Sequence, residues 1–168
     1  MIKFFKQSDE VLYAIGDFVC LSKNDLLELK KLSYKNKRQR IRFCAHKNTS
    51  EDLHEMFIVH TRECYVRPHY HINKPESLHV VEGQADLLIF NKIGEIKKVI
   101  KLSNNSNKGI VFYRIKEDII HMIIIKSKYF IFHEVTKGPF KLENTRFPNW
   151  APEGNLISDN SFINNLEY

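Results

Sequence analysis

His69, His71 and Glu76 are the residues of this chain whose types and spacing point to chemistry. They lie in PHYHINKPE, with the histidines two positions apart and the carboxylate five positions beyond the second. Alternate residues of a strand project to the same side. On an extended CYVRPHYH segment, Tyr65, Arg67, His69 and His71 therefore share a face. Two imidazoles so placed can hold one ion together. Asn73-Lys74-Pro75 then predicts a turn, and Glu76 opens a strand ending at Gly83, which returns a carboxylate to the histidines. A further ligand must come from elsewhere, and His121, in the most apolar run of the chain, is the candidate.

Each residue also has a plainer reading. An isolated H-x-H on a strand is an ordinary surface pair, and a histidine between Ile120 and Met122 is an ordinary hydrogen-bonded core residue. Their combination with Glu76 and Gly83 is what favours a metal. Neutral imidazoles with one carboxylate suit a single first-row divalent ion: iron, manganese, nickel, cobalt or zinc. A five- or six-coordinate ion so held keeps a position open for water, a carbonyl or vicinal hydroxyls and acts as a Lewis acid.

Further polar residues accompany this set. Arg67 either anchors a substrate carboxylate or phosphate or forms a salt bridge at the rim. Tyr113, with the parity of Val111 and Ile115, is a proton donor or a packing residue. Glu134, alternating with Phe130 and Phe132, is a candidate buried carboxylate supporting the ligands. Arg42 and His46 cover the cavity mouth or form an edge. Trp150 is a lid aromatic stacking on a sugar or an apolar plug over the barrel end, and His79 and His133 read as structural.

The elements that must position these residues are mostly strands. Val11–Ile15 and Phe18–Leu21 read as edge strands. Ser22 as N-cap, Asp25 three residues on, and Leu26, Leu29 and Leu32 at helical spacing predict one helix over Lys23–Leu32. From Arg40 the runs RIRFCAH, MFIVHT, CYVRPHYH, SLHVVEG, ADLLIF, IKKVIKL, IVFYRI, HMIIIK and YFIFHEV follow at short intervals. Asn91–Gly94 is a hairpin loop and Asn104–Gly109 a polar loop. Many short strands after a single helix imply a β-sandwich or barrel. From Gly138 on, prolines and asparagines predict loops over the barrel and a loose tail.

The bulk properties narrow the partners. The 168 residues fit one domain, and 43% hydrophobic with 27% charged is a globular composition. Cys20, Cys44 and Cys64 are odd in number, far apart and in no C-x-x-C pair, which argues against a disulfide framework and a cysteine zinc site. MIKFFKQSDE meets charge too early for a signal-peptide core, and Ile119–Ile125 is too short to span a bilayer, so a cytoplasmic protein without a membrane span is expected. Much of the net charge of +6 lies between Lys30 and Lys47. That stretch is a solvated face or attracts an anion, either a phosphorylated small molecule or nucleic acid. No nucleic-acid-binding motif accompanies it, so nucleic acid ranks last.

The spacing His69-x-His71-x4-Glu76-x6-Gly83 resembles the first cupin motif, and His121 falls where the second supplies its histidine. RPHYHINKPESLHVVEG, FHEVTKGPF and FPNWAPEG look like WbuC-type cupin-fold metalloproteins, which are associated with bacterial surface-polysaccharide (O-antigen or capsule) gene clusters. The resemblance implies a cupin double-stranded β-helix, a jelly-roll barrel, with a metal inside held by His69, His71, Glu76 and His121. It divides the chain into 1–36 (strands and helix packing on the barrel), 37–154 (the barrel) and 155–168 (a tail). The chain departs from the general pattern at Glu63, Lys116, Asp118 and Ile125, where glycine, proline, glycine and asparagine are usual. A differently shaped loop before His121 is therefore expected.

Three functions are open on this reading. The first is a metal-dependent isomerase or epimerase acting on a small sugar-derived molecule, such as a sugar or nucleotide sugar. The second is an iron(II)-dependent dioxygenase, and the third a non-catalytic module binding a carbohydrate or metabolite. Pairing of apolar edge strands makes a homodimer an expectation.

Overall fold

The computed structural model describes residues 2–105, 107–158 and 160–168. Its strands are β1 (Phe4–Lys6), β2 (Val11–Ala14), β3 (Arg40–Cys44), β4 (Leu53–Thr61), β5 (Tyr70–His71), β6 (Glu76–Glu82), β7 (Gln84–Phe90), β8 (Ile96–Ser103), β9 (Phe112–Ile115), β10 (Ile120–Ile125), β11 (Tyr129–Lys137) and β12 (Thr145–Arg146). Helix α1 (Lys23–Ser33) joins β2 to β3, and a short helix α2 (Ser161–Asn164) lies near the C-terminus. One sheet has the order β1-β2-β3-β4-β11-β6-β9, a second β10-β7-β8, and β12-β5 form a ribbon. All strand pairs are antiparallel except β2 with β3. Because β11 inserts between β4 and β6, and β7 lies between β8 and β10, strands distant in sequence alternate around a jelly-roll barrel.

The two sheets close on Met56, Ile58, Leu78, Leu87, Phe130 and Phe132. The back of the larger sheet is covered by α1, with Leu29 against Phe43, Val59 and Ile131. The back of the smaller sheet is covered by the C-terminal segment, where Trp150, Phe162 and Leu166 pack on Leu88, Met122 and Ile124. A strand covered on both faces reads as a continuous apolar run. That is why β10 is buried at every position.

Helix α1 starts where its cap dictates. The Asp25 amide donates to Ser22 Oγ at 3.3 Å, and the Ser22 amide donates to Asp25 Oδ2 at 2.9 Å. This reciprocal pair satisfies two amides that a helix start otherwise leaves unmet. Ser22→Ala is expected to cost about 1 kcal/mol, a fall of about 2–4 °C in Tm for a chain of this size. Thermal unfolding checks it, and an unchanged Tm would mean that packing alone fixes the helix start.

One expected strand is absent and another is cut short. Phe18–Leu21 is no strand, and Phe18 stands 85% exposed; β2, expected at an edge, has β1 on one side and β3 on the other. CYVRPHYH is strand only at Tyr70–His71, with His69 in an isolated bridge to His121. Pro68 has no N–H to contribute to a ladder. The segment before it turns, with the Cys64 amide donating to the Thr61 carbonyl. Tyr65 therefore leaves the face it was expected to share with Arg67, His69 and His71. It is buried against the C-terminal segment, its hydroxyl donating to the Pro152 carbonyl at 2.9 Å. Residues 155–168, read as a loose tail, supply Ile157, Phe162, Ile163 and Leu166 to that same apolar layer. The Asn91–Gly94 hairpin loop is as expected, closed by the Asn91 amide donating to the Glu95 carbonyl. Within the Asn104–Gly109 loop, Ser106 lies outside the described residues.

Candidate metal centre

Backbone hydrogen bonds bring the candidate ligands together before their side chains do. His69 and His121 exchange N–H···O=C bonds of 3.0 and 2.9 Å, and the Asp118 amide donates to the His71 carbonyl at 2.9 Å. Asp118 has φ of +65°, a left-handed conformation that aspartate tolerates better than most residues. The loop before His121 can therefore turn at the position where the cupin pattern has glycine. Asn73, at φ +54°, performs the same turn between β5 and β6. Thr136 fastens that turn by donating its hydroxyl to the Pro75 carbonyl at 3.1 Å.

One ring nitrogen each from His69, His71 and His121 lies within 4.8 Å of the other two. Glu76 Oε2 is 3.2 Å from His71 Nε2, and Glu76 Oε1 is 3.2 Å from His121 Nε2. The Nδ1 atoms point outward, to the Arg67 carbonyl at 2.8 Å, the Ile119 carbonyl at 2.9 Å and Thr145 Oγ1 at 3.2 Å. A carbonyl can only accept, so Nδ1 of His69 and of His121 carries a proton, and in the neutral ring Nε2 is the nitrogen with the lone pair. That tautomer is the one metal ligation requires, and an acceptor behind each ring fixes its orientation. These residues could hold a divalent transition ion.

The electrostatics follow from burial and pairing. Burial works to raise the Glu76 carboxyl, but the His121 and His71 imidazoles outweigh it and hold it well below the usual carboxylate range. Burial, with His121 and His71 adding to it, pushes His69 down to about 3. Burial alone would lower His121 as well, but the Glu76 carboxylate raises it.

These shifts set the acid response of the metal-free protein. His69 stays neutral when folded, whereas its unfolded value is about 6.5. Below that pH the unfolded chain binds a proton that the folded chain refuses, so stability falls as pH drops through that window. His60, lowered by burial and then by Arg40, Arg42 and Arg38, acts in the same direction, as do His46, His54 and His133, each lowered mainly by burial. His121 opposes them, its contribution being complete below about 6.5 and lost as pH rises through its raised folded value. Glu76 adds a loss only below about 4.3. Chelated protein is therefore expected to melt lower near pH 5 than near pH 7. A higher Tm at the acid pH would mean that the His121–Glu76 pair dominates.

The site forms one wall of a cavity of about 580 Å³. Tyr113 lines it and donates its hydroxyl to Glu76 Oε1 at 3.1 Å. Glu134 also lines it, but the three imidazoles are hydrogen-bonded to other acceptors. Arg67 reaches the cavity and is at the same time tied to the rim, Nε donating to the Ala151 carbonyl at 3.0 Å and Nη1 pairing with Glu153 at 3.1 Å. Arg42 and His46 line the cavity. Trp150 is not among its lining residues: the indole N–H donates to the Lys92 carbonyl and the ring packs on Phe90 and Phe162. Sequence reasoning missed Thr145, which the β12–β5 ribbon places beside His71. It also missed Arg38, Arg40, His60 and Lys74 as cavity residues.

Residues 21–102 match the model of a family described as a domain of unknown function, DUF6016. The match contains His69, His71 and Glu76 and ends before His121. No curated protein matches the chain. Among solved structures, protein SO0799 from Shewanella oneidensis aligns with a TM-score of 0.50 at 8% identity, over 61% of this chain and 66% of that one. The barrel is a double-stranded β-helix. A protein from Klebsiella pneumoniae described by a double-stranded β-helix domain aligns at 0.49 with 16% identity, over 64% of this chain and 78% of that one. Oxalate decarboxylase from Bacillus subtilis aligns at 0.47 with 17% identity, over 58% of this chain and 24% of that one. The matched region thus spans just under two thirds of the first of these chains and about a quarter of the decarboxylase. At such identities the likeness is one of fold. Among the described residues, no helix is long and apolar enough to cross a membrane.

Proposed function

We propose that this chain is a metal-dependent enzyme of the cupin type that isomerises or epimerises a small sugar-derived molecule in bacterial surface-polysaccharide synthesis. The observation that carries the reading is the convergence of His69, His71, His121 and the Glu76 carboxylate on a cavity of about 580 Å³. That volume lies within the range of small-molecule sites. A bound ion would supply Lewis acidity toward a substrate oxygen.

The protein's own groups divide the proton work. Burial, with Glu76 and Glu134 beside it, pushes Tyr113 well above the ordinary phenol range. It stays protonated and serves as a donor. Burial and the Glu76 charge raise Glu134, against Arg42 and Lys74. Its proton therefore exchanges closer to neutral pH, as a general acid or base requires. Arg67 and Arg42 orient the substrate from the wall. The polysaccharide assignment is supported by the WbuC-type resemblance of RPHYHINKPESLHVVEG and FPNWAPEG.

Elemental analysis of anaerobically purified protein, followed by NMR of candidate sugars incubated with it in D2O, tests the reading. Stoichiometric transition metal and deuterium at a substrate carbon are expected. Absence of metal that cannot be reconstituted would sink it, and oxygen uptake with iron but not zinc would replace isomerisation by oxidation.

A further inference from the structure

The cavity has a second end, with different chemistry. Glu76 lies opposite Thr136, which lies opposite His54, whereas His60, farther along β4, lies opposite Arg40. The strand from His54 to His60 covers about 20 Å at roughly 3.3 Å per residue. A ligand group at Arg40 is therefore not the group that meets Glu76 and the imidazoles.

Arg38 and Arg40 line this end, and Arg42, opposite Ile58, lines the cavity one inward-facing position nearer the imidazoles. Arg38 and Arg40 share one carboxylate, Glu10, which is 2.7 Å from Arg40 Nε and 3.7 Å from Arg38 Nη1, while the carboxylate that feels Arg42 is Glu134 of the same cavity. Among the described residues Arg42 pairs with no carboxylate, and neither does Lys74 of the same cavity. His60 is only 7% exposed, lines the cavity, and buries its Nδ1 without a hydrogen-bond partner, as Arg38 does its Nε. Buried polar atoms are normally paired. Two unpaired ones among three guanidiniums mark a place shaped for a group that supplies acceptors.

We propose that this end of the cavity is a phosphoryl-binding subsite, where Arg38, Arg40 and Arg42 hold the phosphate or diphosphate of an extended small molecule whose other end reaches the imidazoles. The identity of that other end rests on the function proposed above. Guanidinium forks present paired N–H donors that match phosphoryl oxygens. The three guanidiniums and Lys74 face Glu10 and Glu134, which leaves a surplus of two positive charges that suits a dianion. A monocarboxylate would satisfy one fork and leave the others repelling. The substrate class is accordingly a phosphorylated sugar or a nucleoside diphosphate sugar.

Calorimetric titration of inorganic pyrophosphate into the full chain tests the subsite, with metal content measured on every sample. The wild type is expected to bind, and Arg42→Gln to weaken binding roughly tenfold or more without loss of metal. Lys37→Gln, exposed and outside the cavity, is expected to leave binding unchanged. No binding by folded wild type would overturn the proposal. So would an equal loss in Lys37→Gln, which would signal mere surface attraction, or succinate binding as tightly as pyrophosphate. Loss of binding in Glu76→Gln with Arg42→Gln unaffected would move the anion to the metal end and overturn it too. Intact pyrophosphate binding in a protein that takes up no metal would sink the metal reading and leave the subsite standing.

Discussion

Replacing Glu76 with glutamine is expected to leave purified protein with a small fraction of the unaltered protein's transition metal. Glu76 is the anionic member of the candidate set, and its two oxygens each stand 3.2 Å from a different imidazole Nε2. Glutamine keeps the shape, but its neutral amide is a poor ligand, and its NH2 donates to the imidazole lone pairs that should face the ion. Losing a group merely behind a ligand weakens metal affinity about 10–100-fold, so losing a ligand should cost roughly 100-fold or more. Elemental analysis reads the result, and circular dichroism establishes that the variant is folded. Full metal retention in folded Glu76→Gln would remove Glu76 from the ligand set.

Gly83→Ala is expected to be among the most damaging single-methyl additions to the fold. Gly83 has φ of +94°, where any side chain is strained, and a Cβ there would overlap the Tyr129 carbonyl oxygen and lie 2.6 Å from Ser127 Oγ. The carbonyl belongs to backbone at the start of β11 and cannot move without disturbing its pairing with β4. Strain and overpacking each cost about 1–3 kcal/mol, so a total of about 2–6 kcal/mol corresponds to a Tm lowered by about 4–24 °C at this chain length. Thermal and urea unfolding would measure it. A fall under about 2 °C would mean that the joint between β6 and β7 relaxes freely.

Legibility in the sequence followed locality. The span from His69 to Gly83 could be read because strand alternation, the Asn73–Pro75 turn and a glycine joint lie within a few residues of one another. The start of α1 could be read for the same reason, since Ser22 and Asp25 cap each other. His121 was visible as a histidine in an apolar run at the place where the second cupin motif supplies one; what seats it is a backbone bridge to His69, far away in sequence. Thr145 gave no signal at all, because its role depends on a ribbon formed with β5. Pro68 was visible, but its effect on the ladder was not weighed, so Tyr65 was given the wrong face. Arg40 and His60 escaped notice as cavity residues because the alternation of β3 (Arg40, Ile41, Arg42, Phe43) reads as an arginine face toward solvent, whereas the apolar side packs against α1 and the arginines line the cavity.

The insertion of β11 between β4 and β6 bears on how the molecule comes into being as it leaves the ribosome. Until Tyr129–Lys137 has emerged, β4 and β6 each lack a neighbour, and the larger sheet exists as two separate pieces with open edges. Thr145 emerges later still, so His71 is synthesised long before the hydroxyl that orients its ring. Pairings of such long sequence separation form slowly and leave apolar edges exposed meanwhile. A nascent chain halted before Tyr129 would thus already carry the four candidate ligands, yet neither the closed wall nor the complete set of hydrogen bonds that turns them into a site.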